Sequence, residues 1–445
     1  MKIAIVGGGI SGLTTAFYLH QGMPDAQITV FEKEATLGGK MMTKEVDGFY
    51  FEAGSNGFLS NKPDTLELVK LCGCDDILIR SNDAARKRFI YKDFLCPLPE
   101  SPKAFLQTPL LSFAGKLRVA GEFFMPAKKD NSDETLQSFG YRRVGKEMTD
   151  VFLDAMVAGI FASTPKSISV NAAFPAVVKL ERDYGGLFRG MIAKKKKEAG
   201  PGGVLMSFTK GVSSFIERLS LAAGCEIRTG CSVQKIEKRD KGYTLSVDGD
   251  MMDFDKVILS IPSYESAVLL KDTDNELSSM LSSIDYSPIS IVGFGYNDLQ
   301  HNLDGFGLLT TTSAHKEILG VLWDSSIFND RAPQGKKSVR VMIGGQRNRD
   351  LALKDEGQLK EMAQRGIHET MGIDAQPDVT FVERYEKGIP NYTVGHAEKM
   401  AKLFETLAQH QGLYLNSNAY FGVGLNDCVS HSKQCAQNVL KEMNL

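Results

Sequence analysis

The sequence predicts an α/β fold built on a Rossmann-like parallel sheet, and three observations predict it. The chain opens on Lys2-Ile-Ala-Ile-Val-Gly-Gly-Gly-Ile-Ser-Gly-Leu13, an apolar run followed by a glycine-rich turn and a helical pattern. Twenty residues after Gly12, an acidic residue, Glu32, ends the next apolar run. Near the other end, Gly412-Leu-Tyr-Leu415, Gly422-Val-Gly-Leu-Asn-Asp427 and a helix from about Val429 to Met443 give strand, glycine turn and helix once more.

The elements follow in order. Ile3 to Val6 read as a buried strand. Gly7 allows the tight turn, Gly9 lets the backbone approach a pyrophosphate, and Gly12 lets a helix from Leu13 to His20 pack on the sheet. That helix N-terminus faces the anion. Gln27 to Glu32 is the second strand, whose terminal carboxylate is placed for the ribose hydroxyls of an adenosine. A dinucleotide is therefore expected. Gly38-Gly39-Lys40 and Phe51-Glu52-Ala53-Gly54-Ser55 add two places where missing side chains admit an extended ligand, which favours FAD over NAD.

Farther on, Met206 to Gly211 leads into an amphipathic helix, Val212 to Ala223. Cys225 to Arg228, a hairpin-like pair (Ser232 to Lys238, Tyr243 to Val247) and the strand Lys256 to Ile261, closed by Pro262, resume the first sheet. Residues 1–75, 205–265 and 395–445 are assigned to one discontinuous FAD-binding domain. Residues 76–95 and 266–394, with β-branched and aromatic runs such as Pro288 to Tyr296 and Ser338 to Gly344, make an α+β substrate-binding domain. Residues 96–204 form a helical insert, in which Lys194-Lys-Lys-Lys197 beside Gly200-Pro-Gly-Gly203 reads as an exposed loop.

Composition agrees. A chain of 445 residues exceeds one ordinary core. Apolar content of 42 % and charged content of 24 % are those of a globular protein, and a net charge of −2 gives no footprint for nucleic acid. The seven cysteines are scattered, consistent with reduced thiols, and neither they nor the seven histidines show metal-site spacing, so no metal is expected. The first strand begins where a signal peptide would lie, and no apolar run approaches the ~18 residues of a membrane span. The expected location is the cytoplasm.

Several motifs resemble those of the protoporphyrinogen oxidase family, within the flavin amine oxidases and phytoene desaturases. Besides the N-terminal loop and Gly38-Gly39-Lys40, they are Tyr141-Arg-Arg-Val-Gly145, Val157-Ala-Gly-Ile-Phe-Ala162, Ala332-Pro-Gln-Gly335, Ile389-Pro-Asn-Tyr-Thr-Val-Gly-His396 and Gly422-Val-Gly-Leu-Asn-Asp-Cys428. The chain departs from the family at Ser417, usually glycine, and at Phe421, usually acidic. The resemblance implies non-covalent FAD and six-electron oxidation of protoporphyrinogen IX to protoporphyrin IX by dioxygen, with three hydrogen peroxides, in porphyrin and heme biosynthesis. The alternatives are oxidation of coproporphyrinogen III to coproporphyrin III, and a non-catalytic FAD-binding assembly or regulatory factor.

Carried over residue by residue, the resemblance implies FAD contacts at Gly7, Gly9, Ser11, Gly12, Glu32, Gly38, Gly39, Lys40, Gly54, Val233, Val423, Asn426 and Asp427. It implies substrate contacts at Gly159, Phe306, Gly307, Leu309 and Met342, with Arg88 pairing a propionate. Apart from the resemblance, Lys62 could supply the second cation that a four-carboxylate substrate would want. Core packing is the competing reading of the apolar ones. No general base is nominated, because a methylene between pyrroles is itself a good hydride donor and the protein mainly positions it. Tyr392 and His396 read as structural. Phe105 to Phe113 and Leu117 to Pro126, with Lys128 and Lys129, read either as a peripheral membrane face or as the insert's own core. A homodimer is the oligomer such a protein would form.

Overall fold

The computed structural model describes residues 1–195 and 203–442. Its first sheet has five parallel strands in the spatial order Glu226–Thr229, Gln27–Glu32, Lys2–Val6, Lys256–Leu259, Leu413–Leu415. Parallel strands buried on both faces need apolar residues on both sides. Ile3, Ala4 and Ile5 meet that need and are fully buried.

Helices Ile10–Gly22, Ser213–Ala222 and Leu425–Lys441 cover one face. The first begins at Ile10 rather than Leu13, because the glycine turn itself enters the helix with Gly9 as its N-cap. The last begins at Leu425, ahead of the expected Val429, since the Asp427 carboxylate accepts the Gly424 N–H at 3.3 Å and starts the helix there. The expected hairpin is a three-stranded antiparallel meander, Val233–Lys238, Tyr243–Val247 and Asp250–Phe254. Its third strand escapes notice in the sequence because it is an edge strand, mostly exposed and flanked by acids.

A second, seven-stranded sheet runs in the order Val379–Pro390, Tyr286–Tyr296, Lys337–Gly344, Ile318–Leu322, Gly307–Thr310, Arg88–Tyr91, Leu95–Pro97. All neighbours are antiparallel except Gly307–Thr310 with Arg88–Tyr91. Helix Glu356–Met371 buries one face through Leu359, Met362, Ala363 and Ile367. The other face is left to line a cleft.

Helices of the region 96–195 close that cleft. Asp154–Phe161 lies against the second sheet, and a Cβ on Gly159 would come within 2.9 Å of Leu309. The helices are tied together by a buried ion cluster in which the Arg143 guanidinium pairs with Glu122, both fully buried, and lies 3.5 Å from Glu181. Helix Leu187–Lys195 takes in the first two lysines of the run expected to be a loop, and the rest of that run, with Gly200 to Gly202, lies outside the described residues. Leu110, Leu111 and Val119 are buried, whereas Leu106, Phe113, Leu117 and Phe124 are exposed. Among the described residues no helix is long and apolar enough to cross a membrane.

Candidate active site

One cleft of about 1700 Å³ runs from the C-terminal ends of the first sheet across the open face of the second. At its first end stand the turn and helix that follow Lys2–Val6. Gly7 has φ +107°, a conformation open to glycine, and a Cβ there would strike the Ser260 carbonyl oxygen at 2.7 Å. Gly12 packs the helix on the sheet so closely that a Cβ would lie 1.9 Å from the Gly7 oxygen. Gly9 differs. A Cβ there would meet only the Gly38 carbonyl, at 3.7 Å, so its space opens into the cleft. No side chain caps this helix, which leaves first-turn N–H groups beside Ser11 for an anion.

Glu32, at the end of its strand, folds back so that its carboxylate accepts Gly8 N–H at 2.8 Å and Glu34 N–H at 3.0 Å. Each carboxylate oxygen retains a further lone pair for a ligand in the cleft, which Val233 also lines. Gly38, Gly39, Lys40 and Gly54 form the next stretch of wall. Gly54 is obligatory for packing, since a Cβ would lie 2.2 Å from the Lys40 oxygen. The Lys40 ammonium donates to the carbonyl oxygens of Lys387, at 2.9 Å, and Gly388, and has no carboxylate partner among the described residues. Burial pulls it down to about 8.

The far side of this half is the loop from Ser417 to Asp427. The Tyr392 hydroxyl donates to Asn418 O at 2.6 Å and accepts Gly422 N–H at 2.7 Å, and its ring stacks on His396 at 4.2 Å. Burial pushes His396 down to about 4, and its Nε2 lies 3.3 Å from Tyr420 O. These two residues hold the loop. Phe421, at the position where the family usually has an acid, lines the cleft and stacks on Phe404 at 5.0 Å. Val423 and Asp427 also line it, but Asn426 does not: its amide accepts from the Thr65 hydroxyl at 2.5 Å and donates to Leu59 O at 2.9 Å. Cys428 is buried, and its thiol is pushed up to about 12, so it stays protonated.

The residues present fit a flavin dinucleotide. Gly9 and Gly39 leave open space along the wall, and the helix N-terminus supplies uncapped donors. Two wall hydroxyls, Ser260 Oγ and Tyr385 Oη, are buried without a hydrogen-bond partner among the described residues, as groups that a polar ligand would satisfy.

The other half is a broad chamber. Strand register carries one row across its floor: Glu383 beside Ile291, Ile291 beside Met342, Met342 beside Gly320, Gly320 beside Leu309, and Leu309 beside Ile90. The next row runs Gly293, Arg340, Leu322, Gly307 and Arg88. Gly307 permits the strand pairing, because a Cβ would sit 2.1 Å from Val321 O. Arg88 is exposed and lies 5.1 Å over the Phe306 ring. Arg88, Gly159, Phe306, Gly307, Leu309 and Met342 thus share one chamber. Lys62 stands at the start of helix Pro63–Leu71 and does not line it.

Sequence reading missed three floor residues, Ile291, Arg340 and Glu383. The β-branched and aromatic run Pro288 to Tyr296 places Ile291 in a strand, but only pairing decides which face it presents to the cleft. Arg340 is buried and committed to Asp324, 2.5 Å from Nε and 2.9 Å from Nη2. Glu383 has no ion-pair or side-chain hydrogen-bond partner among the described residues. Burial pushes its carboxyl up.

A family model described as flavin containing amine oxidoreductase matches residues 10–440. The chain is similar to coproporphyrinogen III oxidase of Bacillus subtilis, 26 % identical over 98 % of this chain and 97 % of that one. It is similar to chloroplastic protoporphyrinogen oxidase 1 of Arabidopsis thaliana, 30 % identical over 98 % of this chain and 87 % of that one. A solved structure of a protein provisionally assigned as a protoporphyrinogen oxidase, from Exiguobacterium, superposes with TM-score 0.87 at 29 % identity, covering 99 % of both chains.

Proposed function

We propose, starting from a chain that belongs to the flavin containing amine oxidoreductase family and uses FAD, that it oxidises protoporphyrinogen IX to protoporphyrin IX. One observation carries this reading: the glycine cradle and an apolar floor edged by an unpaired arginine open into one continuous cleft. Held by the Gly7–Gly12 turn, Glu32 and the Gly38–Lys40 wall, FAD would supply a two-electron acceptor that dioxygen could reoxidise. The chain does the rest by binding and orientation. Arg88 presents a planar fork to a propionate. Ile291, Leu309 and Met342 hold the rings against the floor, and helix Asp154–Phe161 closes over them and excludes water.

Relatives named coproporphyrinogen III oxidase favour a second reading, in which the substrate carries four carboxylates. That substrate wants several cations, and among the described residues the chamber floor offers one without an ion pair, Arg88, so the dicarboxylate is preferred. The test is an anaerobic titration of the FAD-loaded enzyme with each porphyrinogen, followed by aerobic turnover read by porphyrin fluorescence. Bleaching of the flavin by protoporphyrinogen and about three peroxides per macrocycle are expected, as a two-electron cofactor working three times requires. Failure of protoporphyrinogen to bleach the flavin excludes the reading. Peripheral contact with a membrane through Phe113, Leu117 and Phe124 belongs to the same proposal, and co-sedimentation with anionic vesicles checks it.

A further inference from the structure

We infer that Glu383 is a specificity-determining residue that selects against substrates carrying a carboxylate at the edge remote from Arg88. The inference rests on the porphyrinogen reading above and adds to it a reason why one porphyrinogen is preferred. The floor holds three charged side chains, Arg88, Arg340 and Glu383. Arg340 is neutralised by Asp324 and buried beneath the wall. The two unpaired charges stand at opposite ends. Glu383 lies on the edge strand of the sheet and Arg88 five strands away, about 24 Å at ~4.8 Å per strand. Met342 lies between them, two strands from Glu383 and three from Arg88. The row from Glu383 runs over Ile291, Met342, Gly320 and Leu309 to Ile90, two residues along the strand from Arg88, and carries no charge after Glu383.

The chamber is therefore electrostatically polar, cationic at one end and anionic at the other. A macrocycle with both propionates on one edge and vinyl groups on the other satisfies it. With a propionate on Arg88, the far edge crosses Met342 toward Glu383. A macrocycle with carboxylates on every ring brings like charges together in a half-buried site, where water screens them poorly. Repulsion of the competitor, and not only attraction of the substrate, then sets the choice. Cations in reach of Glu383 would cancel the effect. Lys40, on the wall of the same cleft, makes no ion pair with Glu383 among the described residues, and its ammonium is taken up by the Lys387 and Gly388 carbonyls.

The test compares the FAD-loaded wild type with Glu383→Gln and Glu383→Asp. Two quantities are read: the ratio of kcat/KM for coproporphyrinogen to that for protoporphyrinogen, and the ratio of equilibrium affinities for the two oxidised porphyrins, measured by fluorescence quenching. Removing the charge without changing the shape should raise both ratios at least tenfold, through the KM for the tetracarboxylate. Glu383→Asp should keep both ratios near wild type, an outcome that a merely structural role would not give. Unchanged ratios in Glu383→Gln, or a wild type that already prefers the tetracarboxylate, overturn the inference. A wild type that oxidises neither porphyrinogen overturns the functional reading instead, and the affinity ratios then still decide whether Glu383 discriminates by charge.

Discussion

Single atoms separate glycines that the motif writes alike. A Cβ on Gly12 would lie 1.9 Å from the Gly7 oxygen, whereas one on Gly9 would meet nothing closer than 3.7 Å. Gly9→Ala is therefore expected to leave apoprotein stability within about 0.5 kcal/mol, the range of substitutions that disturb no packing. It should weaken FAD retention at least tenfold, read by flavin released on gel filtration. Gly12→Ala should fail earlier, as lost soluble protein or a lowered melting temperature, because the Gly7 carbonyl cannot retreat without opening the turn. Equal behaviour of the two variants would contradict the assignment. Arg88 poses the same kind of question for the substrate. Loss of a charge-assisted contact costs about 1.5–3 kcal/mol, roughly ten- to a hundredfold. Arg88→Ala should show this as a raised KM for protoporphyrinogen with kcat little changed, since the side chain contacts the bound edge and not the reacting carbon.

Between elements, the helical insert depends on a buried charge cluster. Glu122 holds Arg143 and also accepts the N–H groups of Leu187, at 2.7 Å, and Phe188, at 3.1 Å, which open helix Leu187–Lys195. Removing Glu122 leaves the fully buried Arg143 with only Glu181, at 3.5 Å, as a counter-charge. Glu122→Ala should cost about 3–5 kcal/mol, read by denaturant unfolding. The first sites cut in limited proteolysis should then fall between residues 96 and 195. Replacing both partners by apolar residues of similar volume should recover the part of the loss due to the uncompensated charge, but not the part due to the Leu187 and Phe188 N–H groups that Glu122 holds.

For the molecule as a whole, stability should fall on mild acidification through His396. Its folded-state value is about 4 against an ordinary 6.5, so between these limits the unfolded chain binds the extra proton. Stability contributed by the neutral imidazole is complete above pH 6.5 and is lost as pH falls toward 4. The shift corresponds to at most about 3 kcal/mol. His396→Asn should lose that much less than wild type between about pH 7 and pH 4 in urea unfolding. Identical pH dependence of the two proteins would show that the ring titrates freely. Because His396 stacks on Tyr392, which holds Asn418 and Gly422 at the cleft, acid should also loosen flavin binding before global unfolding.

Where the signal is local, the sequence alone suffices. Gly7, Gly9, Gly12 and Glu32 are read from one strand, one turn and one strand, each imposing a residue type on a fixed spacing. The β-branched and aromatic runs from Pro288 and Ser338 likewise mark strands of the second sheet, Tyr286–Tyr296 and Lys337–Gly344, to within two residues at either end. Which face of those strands looks into the cleft is settled by the tertiary fold, because a strand presents both faces with period two and the choice is made by partners far away in sequence. The fold also turns Asn426 to Thr65 and Leu59 while Asp427, its neighbour, lines the cleft, since a helix start rotates successive side chains by about a quarter turn or more. The charge pattern of the chamber arises in the same way. Arg88, Arg340 and Glu383 are three ordinary charged residues among many in the sequence. Only the fold pairs Arg340 with Asp324 and sets the other two, without ion pairs among the described residues, five strands apart on one sheet.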